Sequence, residues 1–180
     1  KRQRLIEALV ESDAFSAFWA RYWTDTLLGP ARRMRNVDRT AFQDWLEGRW
    51  KGHTGWDRIA FDVLSATGEN VAEGAGAADA SRVNPALAWT LAYVATPEDL
   101  AGHASREFLG VQIQCAQCHD HKTEAWKQSD FRSFASAFVH VRIDRLEERG
   151  GNGANGTKRV RLTDAENLKR TLPSLKKTPD

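Results

Sequence analysis

The sequence predicts a mainly α-helical domain with a β-hairpin near its C-terminus. From Leu5 to Phe138, aromatic and aliphatic residues recur at three- and four-residue spacing, which is the helical period. Alternation with a period of two appears only around and after His140. The 180-residue chain is 41% hydrophobic and contains seven Trp and eight Phe, so it can fill one core.

The first two helices are indicated by their apolar stripes. The first stripe consists of Leu5, Ile6, Leu9 and Val10. The second stripe is aromatic and consists of Phe15, Phe18, Trp19, Tyr22 and Trp23. We expect Asp13 to be the N-cap of the second helix and Gly29-Pro30 to end it.

Two more helices follow before the middle of the chain. One carries Phe42, Trp45, Leu46 and Trp50 after the N-cap Asp38. The other carries Ile59, Val63 and Leu64, with a capping box predicted at Thr54-Gly-Trp-Asp57. Residues 69–82 are rich in Gly and Ala and lack periodicity, so they are predicted to be a loop.

The second half begins with two helices that Asn84-Pro85 and Thr96-Pro97 are expected to open. The latter helix is predicted to run from Pro97 to Gln114, and a last helix from Ser129 to His140. Alternating residues at 139–143 and 158–162, around a Gly/Asn loop, predict the hairpin. The predicted organisation is therefore a helical domain over residues 1–143 and a hairpin or flexible segment over residues 144–180.

The most informative motif is Cys115-Ala-Gln-Cys118-His119, a C-x-x-C-H run that contains both cysteines of the chain. In c-type proteins, two such thiolates add to the vinyl groups of haem, and the following His is an axial ligand of the iron. We therefore predict that Cys115 and Cys118 bind one covalent haem c and that His119 binds its iron.

Two other interpretations of the motif remain open. Cys115, Cys118, His119 and His121 are four metal-ligating residues within seven positions, and they could bind zinc or non-haem iron in a structural or hydrolytic module. Alternatively, Cys115 and Cys118 form a small disulfide in an interaction domain. A thioredoxin-like site would need a strand before the motif, whereas the preceding segment is predicted to be helical.

The surrounding sequence resembles a known family. Phe108–His121 reads FLGVQIQCAQCHDH, Trp126–Phe131 follows it as W-x-Q-x-D-F, and Phe18–Trp23 contains W-x-x-x-W. These segments resemble the planctomycete-type cytochrome domain family, also described as a domain of unknown function, over roughly residues 1–140. The resemblance implies an extracytoplasmic bacterial protein, often large and with a second domain. Where members often carry His-Pro-Phe, this chain has His121-Lys-Thr-Glu124.

Further candidates around the motif are secondary. Asp120, His121 and Trp126 are candidate contacts of the haem or of its propionates, and Phe108 and Phe131 are candidates to pack on the porphyrin. The sixth ligand of the iron stays open among four residues or none: His103, His140, His53 and Met34. In an unbroken helix His103 would lie roughly 18 Å from Cys115, so it could bind the iron only if the helix breaks, for example at Gly110.

Composition and charge restrict the function classes. The net charge is only +2, which is no argument for nucleic-acid binding. No G-x-S-x-G or H-E-x-x-H motif and no membrane-length apolar run occurs. The chain begins Lys1-Arg-Gln-Arg without Met, which we interpret as truncation rather than as cytoplasmic residence. Covalent haem attachment would require an oxidising compartment, so we expect a periplasmic or otherwise extracytoplasmic bacterial protein. We expect electron transfer to a redox partner protein or to an adjacent domain, rather than catalysis by this chain alone.

Overall fold

A computed structural model describes residues 1–29, 37–71, 83–93, 96–147 and 158–164. The fold is mainly helical, as predicted. The helices are α1 (Arg2–Val10), α2 (Asp13–Leu28), α3 (Arg39–Lys51), α4 (Trp56–Leu64), α5 (Leu87–Tyr93), α6 (Pro97–Phe108) and α7 (Gln128–Ser136), and a 3₁₀ helix spans Ile113–Gln117. The strands are β1 (Gly68–Val71), β2 (Val141–Glu147) and β3 (Lys158–Asp164).

The three strands form one sheet in the order β1-β3-β2. The neighbouring strands β2 and β3 confirm the predicted hairpin. The loop prediction for residues 69–82 is wrong at its start, because Gly68–Val71 is a strand. This strand, β1, pairs with β3, which lies about ninety positions later in the chain. A local sequence pattern does not show such a distant pairing. The remainder of that prediction, residues 72–82, lies outside the described residues.

The chain divides into two compact units. The first unit comprises Lys1–Ala92 and Arg145–Arg161, and the second comprises Tyr93–Asp144 and Leu162–Asp180. This division does not test the predicted boundary between residues 143 and 144, which stays a prediction about domains.

The helices α2 and α3 form the main helix pair of the first unit, and their ends have clear physical causes. The N-cap of α2 is Ser12, whose Oγ accepts a hydrogen bond from Phe15 N at 3.2 Å, so the prediction of Asp13 as the cap was wrong by one residue. The helix ends at Gly29, whose φ of 70° favours glycine. Asp38 caps α3 as predicted, through Ala41 N at 2.9 Å.

Apolar residues at helical spacing fill the core of the first unit. Its completely buried large side chains include Leu27, Leu28, Phe42, Leu46, Ile59, Val63 and Leu87. Trp23 packs on Trp56 with ring centroids 4.0 Å apart. Trp50 stacks on the same Trp56 ring, with centroids 6.4 Å apart. Trp23 of α2 and Trp50 of α3 thus both pack against Trp56 of α4 and contribute to the packing between helices.

Polar residues at the ends of these helices form ion pairs. Lys51 at the end of α3 contacts Glu47 at 2.9 Å and Asp13 at 3.1 Å. The pKa of Lys51 is raised, chiefly by its hydrogen bond to Glu47 and next by its hydrogen bond to Asp13. The predicted capping box at Thr54–Asp57 is wrong, because the N-cap of α4 is Gly55 and no side chain caps that helix.

In the second unit, α6 is shorter than predicted. Its N-cap is Thr96, as expected, whose Oγ1 accepts a hydrogen bond from Asp99 N at 3.1 Å. The helix ends at Phe108 rather than at Gln114, because Gly110 adopts a φ of 67° that is incompatible with a continuing helix. The cysteine motif therefore does not lie at the end of a long helix.

Candidate functional site

The two cysteines of the motif lie in and directly after the short 3₁₀ helix. The buried and exposed faces of this helix explain why the cysteines are three residues apart. A 3₁₀ helix has three residues per turn, so residues three apart share a side. Ile113 and Ala116 are buried, whereas Cys115 and Cys118 are exposed. Cys118 is the C-cap and keeps helical dihedral angles. Both thiols therefore face outward on one side of the same turn, and both are free.

The buried face of the turn rests on a small apolar core. This core consists of Ala101, Ile113, Ala116, Phe131 and Ala135, with Val111, Phe134, Phe138 and Val139 packed at its edge. Ala116, the residue directly after Cys115, is completely buried in it. Phe131 is also completely buried, so its ring belongs to this core and not to the exposed surface on which the thiols lie.

A reversal of the chain after α6 brings the motif back against that helix. Gly110 turns the chain, and Val111 N donates a hydrogen bond to Ser105 O at 3.0 Å. The side chain of Gln114 then lies so close to Gly102 that a Cβ there would be 2.9 Å from Gln114 Cδ. The missing side chain at Gly102 is thus what allows the turn to approach the helix.

His119 is exposed and is oriented by its own backbone. Its Nδ1 lies 2.7 Å from the carbonyl oxygen of Asp120, and only an Nδ1–H can donate to that acceptor. In this tautomer Nε2 carries the lone pair. A metal-ligating histidine commonly donates its other N–H to a carbonyl in this way, so the arrangement suits Nε2 as an axial ligand.

Gln128 is a site residue to which sequence reasoning assigned no role. Its Nε2 donates to the carbonyl oxygens of Gln117 at 3.1 Å and of Cys118 at 3.0 Å. Its backbone N donates to Asp120 Oδ1 at 2.9 Å. Gln128 therefore restrains the segment that contains Cys118 and His119 at both of its ends, Gln117 and Asp120. The only sequence signal was its place in the W-x-Q-x-D-F element.

The other secondary candidates have roles in the loop that follows. His121 Nδ1 accepts hydrogen bonds from Glu124 N at 3.0 Å and from Thr123 N at 3.3 Å, and His121 N donates to Trp126 O at 2.8 Å. Asp120 binds the Gln128 amide. These contacts give His121 and Asp120 structural functions, while the Trp126 side chain remains exposed.

The candidates for a sixth ligand lie in different parts of the chain. His103, on α6, and the partly buried His140 belong to the same unit as the motif. His53 belongs to the first unit and lies exposed in the turn after α3. Met34 lies outside the described residues.

His103 meets the condition that the helix must break, since α6 ends before Gly110. Its ring stacks on Tyr93 with centroids 3.5 Å apart. Its Nδ1 lies 3.0 Å from Glu107 Oε1 and 2.8 Å from Arg106 Nη2, and these two contacts require opposite tautomers. An Nδ1–H that donates to Glu107 leaves the Nε2 lone pair available, whereas an Nδ1 that accepts from Arg106 does not.

Within the described residues, no group of three or more His, Cys, Asp and Glu side chains is arranged to hold a metal ion. The cluster of Cys115, Cys118, His119 and His121 is therefore adjacent in sequence but is not assembled as a metal site. In the same part of the chain, no helix has the length and apolar character of a membrane span.

One family of known proteins matches the chain. Residues 1–143 match the family PSCyt2, described as "Protein of unknown function (DUF1549)". No curated protein and no solved structure matches it. The family resemblance predicted from the cysteine motif is thus confirmed at the level of a domain family of unknown function.

Proposed function

The chain belongs to the PSCyt2 family of proteins of unknown function, and on that premise we propose that it is a c-type cytochrome domain. Cys115 and Cys118 would attach one haem c, and His119 would bind its iron. The observation that carries the proposal is that both thiols face outward on one 3₁₀ turn, next to a histidine whose Nδ1 is already bound to a carbonyl.

The residues of the chain supply position and orientation. The buried face of the turn anchors the two cysteines, and the Asp120 carbonyl fixes the imidazole of His119. Gln128 restrains the carbonyls of Gln117 and Cys118, which limits the freedom of the attachment segment. A haem bound there would supply a one-electron redox couple, whose potential depends on ligands, burial and hydrogen bonds.

Exposure of the site favours electron transfer to a partner over enclosed catalysis. Cys115, Cys118 and His119 are all exposed, so one edge of a group attached to them would be accessible from outside the unit. The acceptor or donor would be a redox partner protein or an adjacent domain. Covalent attachment of haem implies an extracytoplasmic, periplasmic location in a bacterium.

The test is export of the chain together with a haem-attachment system, followed by intact-mass and visible-absorption measurements. We expect the mass to increase by one haem and the reduced protein to show a sharp α band. The Cys115→Ser/Cys118→Ser variant should lack the added mass, and His119→Ala should lose the low-spin spectrum. Ser129→Ala, an exposed position near the motif, is the matched control.

A bare mass with no Soret band, obtained from a preparation in which a known cytochrome is loaded normally, would contradict the proposal. Elemental analysis of that sample would then distinguish a zinc or iron site from a pair of thiols. An unchanged Soret and α band in His119→Ala would contradict the assignment of His119 while leaving the attachment intact.

A further inference from the structure

The first unit contains a cavity of about 320 Å³ that the proposed haem function does not use. Pockets that bind small molecules typically have volumes of about 300–1,000 Å³, so this one could hold a single small ligand. Its walls are formed by one face of α3, one face of α4, and the segments that follow α4 and precede α5. Its chemical character is set by five side chains: Trp45, Arg49, Arg58, Phe61 and Asp62.

Helical spacing places these side chains together. Trp45 and Arg49 are one turn apart on α3, and Arg58, Phe61 and Asp62 are three and four residues apart on α4. Each helix thus contributes one arginine and one aromatic ring to the cavity. Each guanidinium lies over the ring of its own helix, with Arg49 Cζ 5.2 Å from the Trp45 ring and Arg58 Cζ 5.2 Å from the Phe61 ring.

The charges in the cavity do not balance. Asp62 pairs with both arginines, through Oδ2 to Arg49 Nη2 at 2.8 Å and through Oδ1 to Arg58 Nε at 3.0 Å. One carboxylate therefore faces two guanidiniums, which leaves one positive charge. Each guanidinium has five N–H donors, and the fork suits a carboxylate. The cavity is consequently suited to a ligand with one negative charge.

Asp62 also keeps acceptor capacity at its other oxygen. Its side chain is 13% exposed, and Oδ2 is enclosed against Arg49, whereas Oδ1 pairs with Arg58. A carboxylate oxygen can accept more than one hydrogen bond, so Oδ1 can also accept one from a ligand hydroxyl.

The aromatic rings complete the recognition surface. Phe61 is 59% exposed and lines the cavity beside Arg58. An aromatic face at a polar cavity suits the apolar side of a hydroxylated ring. We propose that this cavity binds a small hydroxylated carboxylate of the sugar-acid type, with its carboxylate on the arginines and a hydroxyl on Asp62.

The test is calorimetric titration of the full 180-residue chain with three probes that separate these features. D-Glucuronate carries the ring, the hydroxyls and the carboxylate, D-glucose lacks the carboxylate, and cyclohexanecarboxylate lacks the hydroxyls. We expect saturable one-to-one binding of glucuronate that is at least about ten-fold tighter than binding of either other probe, because each lacks a charge-assisted contact.

Variants assign the binding to the cavity. Arg58→Gln removes an exposed guanidinium and should weaken glucuronate binding about ten-fold without altering the fold. Asp62→Asn removes the hydroxyl acceptor but leaves both guanidiniums uncompensated, so it should reduce the preference for glucuronate over cyclohexanecarboxylate. Arg4→Gln, on the exposed α1, should leave both affinities unchanged. Circular dichroism would show that each variant is folded, and haem attachment plays no part in the readout.

Absence of saturable glucuronate binding to the folded chain would overturn the proposal. Equal affinity for glucose would overturn the role of the carboxylate, and equal affinity for cyclohexanecarboxylate that of the hydroxyls. Glucuronate affinity that is unchanged in Arg58→Gln, or a preference over cyclohexanecarboxylate that is unchanged in Asp62→Asn, would overturn the assignment to this cavity.

Discussion

Gln128 shows how a single side chain can define a functional segment. The two thiols and His119 are exposed, so little packing holds them from outside. Gln128 instead reaches the carbonyls of Gln117 and Cys118, and its backbone amide binds Asp120, whose own carbonyl orients His119. Asp130 accepts a hydrogen bond from Lys127 N at 2.9 Å and so fixes the start of α7, which carries Gln128.

We expect Gln128→Ala to lower the free energy of unfolding by about 1 kcal/mol, because two hydrogen bonds of its amide are lost to water. Gln128→Glu should cost more, since a carboxylate would face two carbonyl oxygens. Both changes should reduce the yield of attached haem. Thermal unfolding and intact mass measure the two effects. The exposed neighbour Ser129→Ala is the control, and equal stability of Gln128→Ala and Ser129→Ala would contradict the role of the amide.

At the scale of the elements, local patterns predicted the helices well and their long-range partners poorly. The helical period predicted α2, and period together with capping residues predicted α3 and the start of α6, because a helix satisfies its hydrogen bonds within its own segment. The strand β1 was missed because its partner β3 lies far along the chain. The end of α6 was misplaced because Val111 and Ile113 continue an apolar pattern, although Gly110 ends the helix. The contacts of Gln128 with residues ten and eleven positions earlier have no local signature.

The positive φ of Gly110 and the helical conformation of Gly48 predict opposite effects of replacing each glycine with alanine. Gly110→Ala should destabilise the protein by about 1 kcal/mol, because its φ of 67° is unfavourable for other residues while open space surrounds the position. Gly48→Ala, at an exposed site inside α3 with equal space, should stabilise it by about 0.5–1 kcal/mol. Denaturant unfolding measures both. A stabilising Gly110→Ala would contradict the conformational argument.

Because the chain reverses at Gly110, His103 is the candidate for the sixth ligand that we would test first. The reversal brings Gln114 against Gly102, the residue before His103. If His103 is the sixth ligand in the haem-loaded protein, His103→Ala converts a low-spin absorption spectrum into a high-spin one, because the iron then loses an axial nitrogen. His140→Ala is the comparison within the same unit, and Glu107→Gln should shift the reduction potential, because it weakens the hydrogen bond at Nδ1. An unchanged spectrum in His103→Ala would exclude it as a ligand.

At the scale of the whole molecule, each of the two compact units buries apolar side chains of its own. The first unit buries large side chains of α2, α3 and α4, including Leu46, whereas the second buries Phe131 with small residues of α6 and of the 3₁₀ helix. The proposed haem site depends on the second core, and the proposed anion-binding cavity belongs to the first unit. Stability of the two sites is therefore expected to respond to different core substitutions.

Phe131→Ala tests this separation. Removing a completely buried phenylalanine should destabilise the second unit by about 3–5 kcal/mol, because a cavity opens in the apolar core that also contains Ala116. Leu46→Ala should destabilise the first unit by about 2–5 kcal/mol. Hydrogen exchange resolves the location: Phe131→Ala should accelerate exchange in α6 and α7 while α2 and α3 keep their protection, and Leu46→Ala should do the reverse. Equal acceleration throughout the described residues in both variants would show that the units unfold as one cooperative structure, so that haem attachment would depend on the entire domain rather than on the core beneath the cysteines.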